Sequence, residues 1–453
     1  MRFIGLDVHK RVVQVHMVDA AGVELEKFRF DLDATTLENF AKRYLDDDCA
    51  VALEATTNTW AVVDILAPYC ARLVVSNPLR TKAIASAKIK TDKVDAEVLA
   101  HLLRLDYLPT VWQPDAKTRA ERGLASRRSA LTRQSISLKN RVHSVLHQRL
   151  IQAPQELFGK AGRAWLAALT LPPLVRGEIE TLLRLLDALA LEQEALRNEI
   201  NQSAFASDAI KLLMTLPGVD VIVAHALVAA IGPIERFSSP ERLAAYLGLV
   251  PSVHQSAEHV YYGPITKRGN TNARWLLIQA AQVAAKHPGP LGAQFRKLER
   301  KKNRSVAVVA IARKLAVLTW HLLTKQQPYR YAQPTTVEGK LAKLRVSQHG
   351  PRRPALKGIP RSPTYGSGVR TRQKKALDAV LRAEGLPVTV AAAPGEQRVI
   401  AELGLTDFAQ RLQQAERRPR KSNRCRQTGS RRSPESTNDL SSSRESRRGK
   451  PAS

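Results

Sequence analysis

Cysteine is scarce in this 453-residue chain: Cys49, Cys70 and Cys425 stand far apart, with no CxxC pair among them. That spacing excludes a disulfide framework and a zinc knuckle and fits a reducing compartment. No apolar run approaches the ~18 residues of a membrane span. The opening MRFIGLDVHK carries charge where a signal peptide needs an apolar core, so a cytoplasmic location is expected. Acidic residues are also few. Asp and Glu number 41 against 71 Lys and Arg, which leaves a formal charge of +30. Such an excess makes a compact chain self-repelling unless it meets a polyanion, and nucleic acid leads over an anionic membrane surface. No glycine-rich phosphate cradle follows the first strand, which ranks a sugar-kinase-like ATPase last. No Ser-His-Asp spacing is legible either.

The hydrophobic content of 44% in a chain of this length supports two or three domains with real cores. FIGLDVHK, VVQVHMVD and VELEKFRFDL alternate apolar and polar residues and are punctuated by Gly22, which predicts an antiparallel meander. A helix (TTLENFAKRYL), a strand (AVALEAT), a helix (TWAVVDILAPY), a strand (RLVVSNP) and the helical KIKTDKVDAEVLAHLLR follow. Three strands and then alternating units imply an α/β layer architecture, whose functional groups gather at strand ends.

Asp92 and Asp95 lie three apart, on one face of a helix, where like charges repel by a few tenths of a kcal/mol. With Lys88, Lys90 and Lys93 beside them they read as a solvated face of mixed charge, or as half of a metal site. A hard cation such as Mg²⁺ needs further oxygen ligands. Asp7 sits inside the apolar first strand, and Glu54 closes the fourth. Singly these are a strand-end hydrogen bonder and a helix-start residue. If the first and fourth strands are neighbours, all four carboxylates converge, and two Mg²⁺ ions about 4 Å apart would make a phosphoryl-transfer site.

"GLDVHK", "LEAT" and "KTDKVDAEVLA" together resemble the N-terminal RuvC-like, ribonuclease-H-fold domain of the DEDD transposases of the IS one-ten type. The resemblance implies that Asp7, Glu54, Asp92 and Asp95 bind Mg²⁺. It also implies a structured guide RNA pairing with donor and target DNA, for which the residues themselves show nothing beyond permissive charge.

From about 115 to 200 the chain is helical. Leu131, Leu138 and Val145 recur every seven residues with Ser135 and Val142 between them, flanked by Arg127, Arg128, Arg133, Lys139, Arg141 and Arg149. Leu182, Leu186, Leu189, Gln193, Leu196 and Ile200 form a second seam. The two helices pair within the chain, or the second dimerises; a homodimer or tetramer is expected. The arginine density adds phosphate contact to ordinary core packing, with Arg128, Lys139 and Arg141 joining Lys88 and Lys90 as nucleic-acid-binding candidates.

LMTLPGVDVIVAHALVAAIG reads equally as a helix-hairpin-helix, with Asp220 where a second glycine is often found, and as a plain αα-hairpin. After it, YLGLVPSVHQSAEHVYYGPITKRGNTNARWLLIQAA combines a hydroxyl-rich loop, a basic glycine turn and a helix start. On residues alone Ser256 is a loop hydroxyl. The segment is similar, however, to the C-terminal transposase domain of the same family, whose serine attacks a DNA phosphate. That serine falls on Ser256, after Pro251 and before Gly263, Ile265, Thr266, Lys267, Gly269 and Asn270. Ala257 stands where the family has glycine, which keeps Ser252 as a second candidate. Lys267, Arg268 and Arg274 would steady phosphates, or form a solvated basic turn.

SVAVVAIARKLAVLTWHLLTK reads as a core helix, because Arg313, Lys314 and His321 interrupt it. The expected domains are 1–110 (RuvC-like, carboxylate-bearing), 111–205 (helical linker), 206–330 (mostly α transposase domain) and 331–453 (basic, largely disordered tail). Within the tail, KKALDAVLRAEG and EQRVIAELGL have short-helix character. Three functions follow: a transposase using four acids and a serine, a RuvC-like junction nuclease using water, or a noncatalytic architectural DNA binder.

Overall fold

Alternating apolar residues build β1 (Arg2–Val8) and β2 (Val12–Val18), which pair antiparallel, and β2 pairs in the same sense with β3 (Glu24–Asp31). The computed structural model describes residues 1–84, 92–256, 259–349 and 367–388, with the side chains of 92, 93, 256 and 367–373 outside that set. After the meander come α1 (Ala34–Tyr44), β4 (Cys49–Glu54), α2 (Thr59–Leu66), β5 (Arg72–Ser76), α3 (Pro78–Ile84) and α4 (Asp92–Arg104). The sheet order is β3-β2-β1-β4-β5, and β4 lies parallel to both β1 and β5. The first and fourth strands are therefore neighbours, the condition on which convergence of the acids rested.

The two faces of this sheet differ because side chains alternate along each strand. Ile4, Leu6, Val51 and Leu53 pack with Leu37, Phe40, Val62 and Leu66 of α1 and α2. The opposite face is floored by Ala50, Ala52 and Val74, and Leu99 and Leu103 of α4 cover it. Cys49 is fully buried in β4, and burial pushes its thiol up to about 11. Alkylation of Cys49 at pH 8 should therefore run about 100-fold slower in the native protein than in urea, as mass-resolved iodoacetamide labelling would show.

α5 (Ala116–His147) starts from the Asp115 cap, whose Oδ1 accepts from the Thr118 N–H at 2.7 Å. After the short α6 (Lys160–Ala168), α7 (Pro173–Phe205) returns antiparallel to α5, with Arg141 on Glu178 near one end and Glu121 on Ser203 near the other. Gln193 donates to the Leu131 carbonyl at 3.1 Å and to Ser135 Oγ at 2.6 Å. Of the two readings of the seams, the pair within one chain is the one found.

The C-terminal body is built on α8 (Asp208–Leu213), α9 (Val221–Ile231) and α10 (Pro240–Tyr246), then the ribbon β6 (Pro251–Ser256) and β7 (His259–Ile265). Helices α11 (Thr271–Lys286), α12 (Pro290–Lys301), α13 (Arg304–Lys325), α14 (Pro334–Ser347) and α15 (Ser367–Ala383) follow. Val253–Gly263 of the ribbon forms a unit of its own. α13 is long and apolar enough to cross a membrane, yet Ala307, Ile311, Ala312, Leu315 and Ala316 are core residues packed by α10, α11 and α12.

The expected tail boundary at 331 is corrected. Val337, Leu341 and Leu344 of α14 and Leu377, Val380 and Leu381 of α15 join the same core. Their spacing, i, i+4, i+7 in α14 and i, i+3, i+4 in α15, makes an apolar stripe in each helix within a basic setting. The EQRVIAELGL stretch and the rest from 389 lie outside the described residues.

Candidate active site

Asp7 and Glu54 reach the same place by register. Leu6 pairs with Leu53 across the parallel β1–β4 ladder, so the next residues, Asp7 and Glu54, come level with each other at the C-terminal ends of the two strands. Ile4, Leu6, Leu53 and Val51 point to the α1 and α2 side, so alternation turns Asp7 and Glu54 to the face that α4 covers.

Gly5 lets α4 approach. A Cβ on Gly5 would stand 2.0 Å from the Ala96 carbonyl oxygen and 2.7 Å from the Ala100 nitrogen. The helix thus lies on bare backbone two residues before Asp7. Its C-terminal Arg104 donates to the Ala20 carbonyl at 3.4 Å, beyond the far end of β2. α4 therefore runs antiparallel to β1, and its N-terminal turn, carrying Asp92 and Asp95, lies toward the strand ends of Asp7 and Glu54.

Asp7 is mostly sheltered, with a side chain 14% exposed, and its Oδ2 stands 2.9 Å from His9 Nε2. The loop after Glu54 is cinched around it. The Thr59 hydroxyl reaches the Glu54 carbonyl at 3.4 Å and accepts the Thr56 N–H at 2.6 Å, while Asn58 Nδ2 reaches the His9 carbonyl at 3.4 Å. His9 and Asn58 were not among the sequence candidates. The only signal was His9 two residues after Asp7, hence on the same strand face. A cavity of about 390 Å³ lined by His9, Lys10, Arg11, Gln14 and Arg29 opens beside this edge and gives it a basic mouth.

The donor chemistry of this edge, carboxylate oxygens without thiolate, suits a hard divalent cation. Among the described residues no three His, Cys, Asp or Glu side chains stand close enough together to hold an ion. The Asp92 side chain is outside those residues, as are Lys88 and Lys90.

The other candidates are dispersed. Ser256 ends β6, with its side chain outside the described residues, and Ser252 is half-buried at the base of the ribbon. Lys267 and Arg268 are exposed, Lys267 at a φ of 54°. Arg274 is 8% exposed and donates to the Leu247 and Arg268 carbonyls, so it braces the KRGN turn from inside instead of facing a phosphate. Gly269 belongs to the same brace, since a Cβ there would meet the Tyr246 carbonyl at 1.9 Å. Lys139 is exposed over the Phe158 ring, and Arg141 is paired with Glu178 at 2.7 Å. Arg128 is half-buried, with Thr132 as partner.

The Leu216–Val219 hairpin is held in an unforeseen way. Asp220 caps α9 by accepting from the Val223 N–H at 2.9 Å, which explains an acid where a glycine was looked for. On the other side the Lys340 ammonium of α14 donates to the carbonyls of Met214, Leu216 and Val219 at 2.8, 2.9 and 2.8 Å.

Comparison with known proteins finds two family matches. The family described as Transposase IS116/IS110/IS902 matches residues 210–297, and a DEDD transposase family of the IS110 kind matches residues 4–150. A "Probable family 20 transposase" of Pseudomonas aeruginosa is 31% identical over 343 residues, covering 72% of this chain and 98% of its own. The transposase for insertion sequence element IS1111A of Coxiella burnetii is 32% identical over 136 residues, 29% of this chain and 37% of its own. A pilin gene-inverting protein of Moraxella bovis is 23% identical over 299 residues, 64% of this chain and 84% of its own.

Proposed function

The chain belongs to the IS116/IS110/IS902 transposase family, and from that premise we propose that it cuts and rejoins DNA with a four-carboxylate Mg²⁺ site and a serine nucleophile. A transposase of this family is an enzyme that binds the DNA ends of its element, and the DEDD family implies use of a divalent metal. The observation that carries the finer reading is the shared edge. Asp7 and Glu54 end adjacent parallel strands on the face covered by α4, whose N-terminal turn bears Asp92 and Asp95. The strand order β3-β2-β1-β4-β5 supports the ribonuclease-H-like assignment.

In this mechanism Asp7, Glu54, Asp92 and Asp95 would hold the two Mg²⁺ ions. Bound there, the ions would polarise the scissile phosphate and stabilise the attacking and leaving oxygens. His9 orients the Asp7 carboxylate from 2.9 Å, and the basic mouth formed by Lys10, Arg11 and Arg29 guides the strand toward it. Ser256 Oγ loses its proton and attacks phosphorus. The 3′ oxygen leaves as a hydroxyl, and a phosphoserine ester remains on the 5′ side. A 3′ hydroxyl of a second strand then attacks that ester and frees the serine. Lys267, Arg268, Lys139 and Arg141 contact phosphates along the strands. The family resemblance implies a guide RNA as a further partner, which the net charge of +30 permits, and the working form is a homo-oligomer.

The test is to incubate the purified protein with Mg²⁺, RNA from its locus and plasmid DNA carrying the flanks of its gene, and to look for a DNA adduct that survives denaturation. Asp7→Ala should reduce adduct formation by at least about 10³-fold, as loss of a central electrostatic group does. Ser256→Ala should abolish it. Cleavage without an adduct, unchanged by Ser256→Ala, would sink the serine step and leave the water-using nuclease.

A further inference from the structure

Where α5, α7, α9 and α11 meet, a cavity of about 150 Å³ lies well away in sequence from the carboxylates. Arg128, Arg197, His225, Asn272 and Trp275 are among its lining residues. Resting on the recombinase reading above, we infer that this cavity is a seat for one phosphodiester group of a nucleic-acid strand, with Trp275 as the stacking surface for the adjoining base.

Three features point to an anionic guest. Arg128 and Arg197 line the same space, Arg197 with its Nε 3.3 Å from Glu194 Oε2, and an anion between the two guanidinium groups would relieve the repulsion that remains. Burial first, and then the neighbouring Arg197, push Arg128 below its ordinary range against the opposing pull of Asp220 and Glu194. The buried Arg128 Nε has no hydrogen-bond partner, although its Nη1 has Thr132. Such an orphan donor calls for a ligand.

His225 is 1% exposed, and its Nδ1 is likewise without a partner. Its other nitrogen, Nε2, stands 2.5 Å from Glu121 Oε2, and Ser203 donates to the same carboxylate at 2.6 Å. Burial works against ionisation of Glu121, but the hydrogen bonds from Ser203 and His225 outweigh it and hold the carboxyl below its ordinary value. An ionised Glu121 fixes the His225 Nε2–H toward itself, which leaves Nδ1 as the unpartnered ring nitrogen of a residue that lines the cavity. One acid lines the space as well. Asp220 keeps an oxygen on the Val223 N–H at 2.9 Å, so the lining sets two guanidinium groups against one carboxylate.

Size decides the class of guest. Small-molecule pockets run to about 300–1,000 Å³, so 150 Å³ suits a single phosphate with part of its sugar and not a free cofactor. Trp275, 39% exposed, offers an unburied aromatic face beside it, and stacking of this kind is tolerant of sequence.

The probes are a fluorescein-labelled single-stranded DNA 20-mer, the matching RNA, and inorganic phosphate as competitor, all with full-length protein and no Mg²⁺. Arg197→Gln and Trp275→Ala should each weaken strand binding about tenfold. Only Arg197→Gln should lower the slope of log affinity against log salt by about one. Arg127→Gln, on the neighbouring exposed face and paired with Glu199 at 3.7 Å, is the control and should leave the slope nearer wild type. A tenfold loss confined to RNA, or to DNA, identifies which strand sits there. Affinities and slopes matching the control for both strands would overturn the inference, as would phosphate binding that Arg197→Gln weakens while strand binding stays intact. Because these readings need no metal and no cleavage, they fail or succeed separately from the Asp7 and Ser256 chemistry.

Discussion

Gly5→Ala should cost about 3 kcal/mol of stability and at least about 100-fold of strand cleavage, a double loss expected of few other methyl groups in this chain. The new Cβ would stand 2.0 Å from the Ala96 carbonyl oxygen. That atom belongs to helix backbone and cannot rotate away as a side chain would. α4 must therefore lift by more than an ångström from a floor on which Ala96, Leu99, Ala100 and Leu103 are all essentially buried. The helix that moves is the one bearing Asp92 and Asp95, so chemistry should suffer beyond what stability alone explains. Urea unfolding and Mg²⁺-dependent cleavage measured on the same preparation separate the two effects. Gly123→Ala makes the contrast, since nothing lies within 4 Å of a Cβ in that part of α5. There alanine should stabilise by about 0.5–1 kcal/mol. If Gly5→Ala unfolds and cleaves like wild type, the close approach of α4 to β1 is wrong.

Lys340→Met should destabilise the C-terminal body by about 3 kcal/mol at pH 7. The side chain lost is an ammonium whose donors all go to backbone carbonyls, those of Met214, Leu216 and Val219. All three residues are within 1% of full burial, so methionine leaves three acceptors without their donor in a dry hairpin. Burying the ammonium has its own cost, visible in a pKa pushed down to about 8, and this offsets part of the gain. The pH dependence follows in sign. An unfolded lysine keeps its proton until about 10.4. The native one gives it up near 8, so between those values the unfolded state binds more protons and stability rises with pH. The rise should reach about 3 kcal/mol and be missing from Lys340→Met. Denaturant midpoints at pH 7.5, 9 and 10 check both parts. A methionine variant as stable as wild type at pH 7.5 would mean that the hairpin does not depend on this lysine.

Much of the N-terminal layer was legible because its signals are local. Period-two alternation in FIGLDVHK and VVQVHMVD and the Gly22 turn each act within a few residues, and each element appears close to where the pattern puts it. The two helical seams were equally plain, but their partner was not, since a stripe of leucines does not say which surface covers it. The tail was misjudged for a related reason. KKALDAVLRAEG had helix character and lies largely in α15, but that it and α14 pack into the core was missed, because composition averages away a narrow apolar stripe in a basic setting. Arg274 shows the same limit at one residue, where charge suggested a phosphate and burial shows three local acceptors.

By itself the sequence determined the order of strands and helices, the polyanion-seeking charge and the residue types of the candidate site, because propensity, periodicity and composition are properties of neighbours along the chain. Tertiary structure alone decided that β1 lies beside β4, that Gly5 is the surface on which α4 rests, that His9 turns to Asp7, and that Lys340 holds a hairpin more than a hundred residues away. Those four facts depend on which distant backbones come within a few ångströms of each other, and close packing across such separations leaves no periodic trace in the chain.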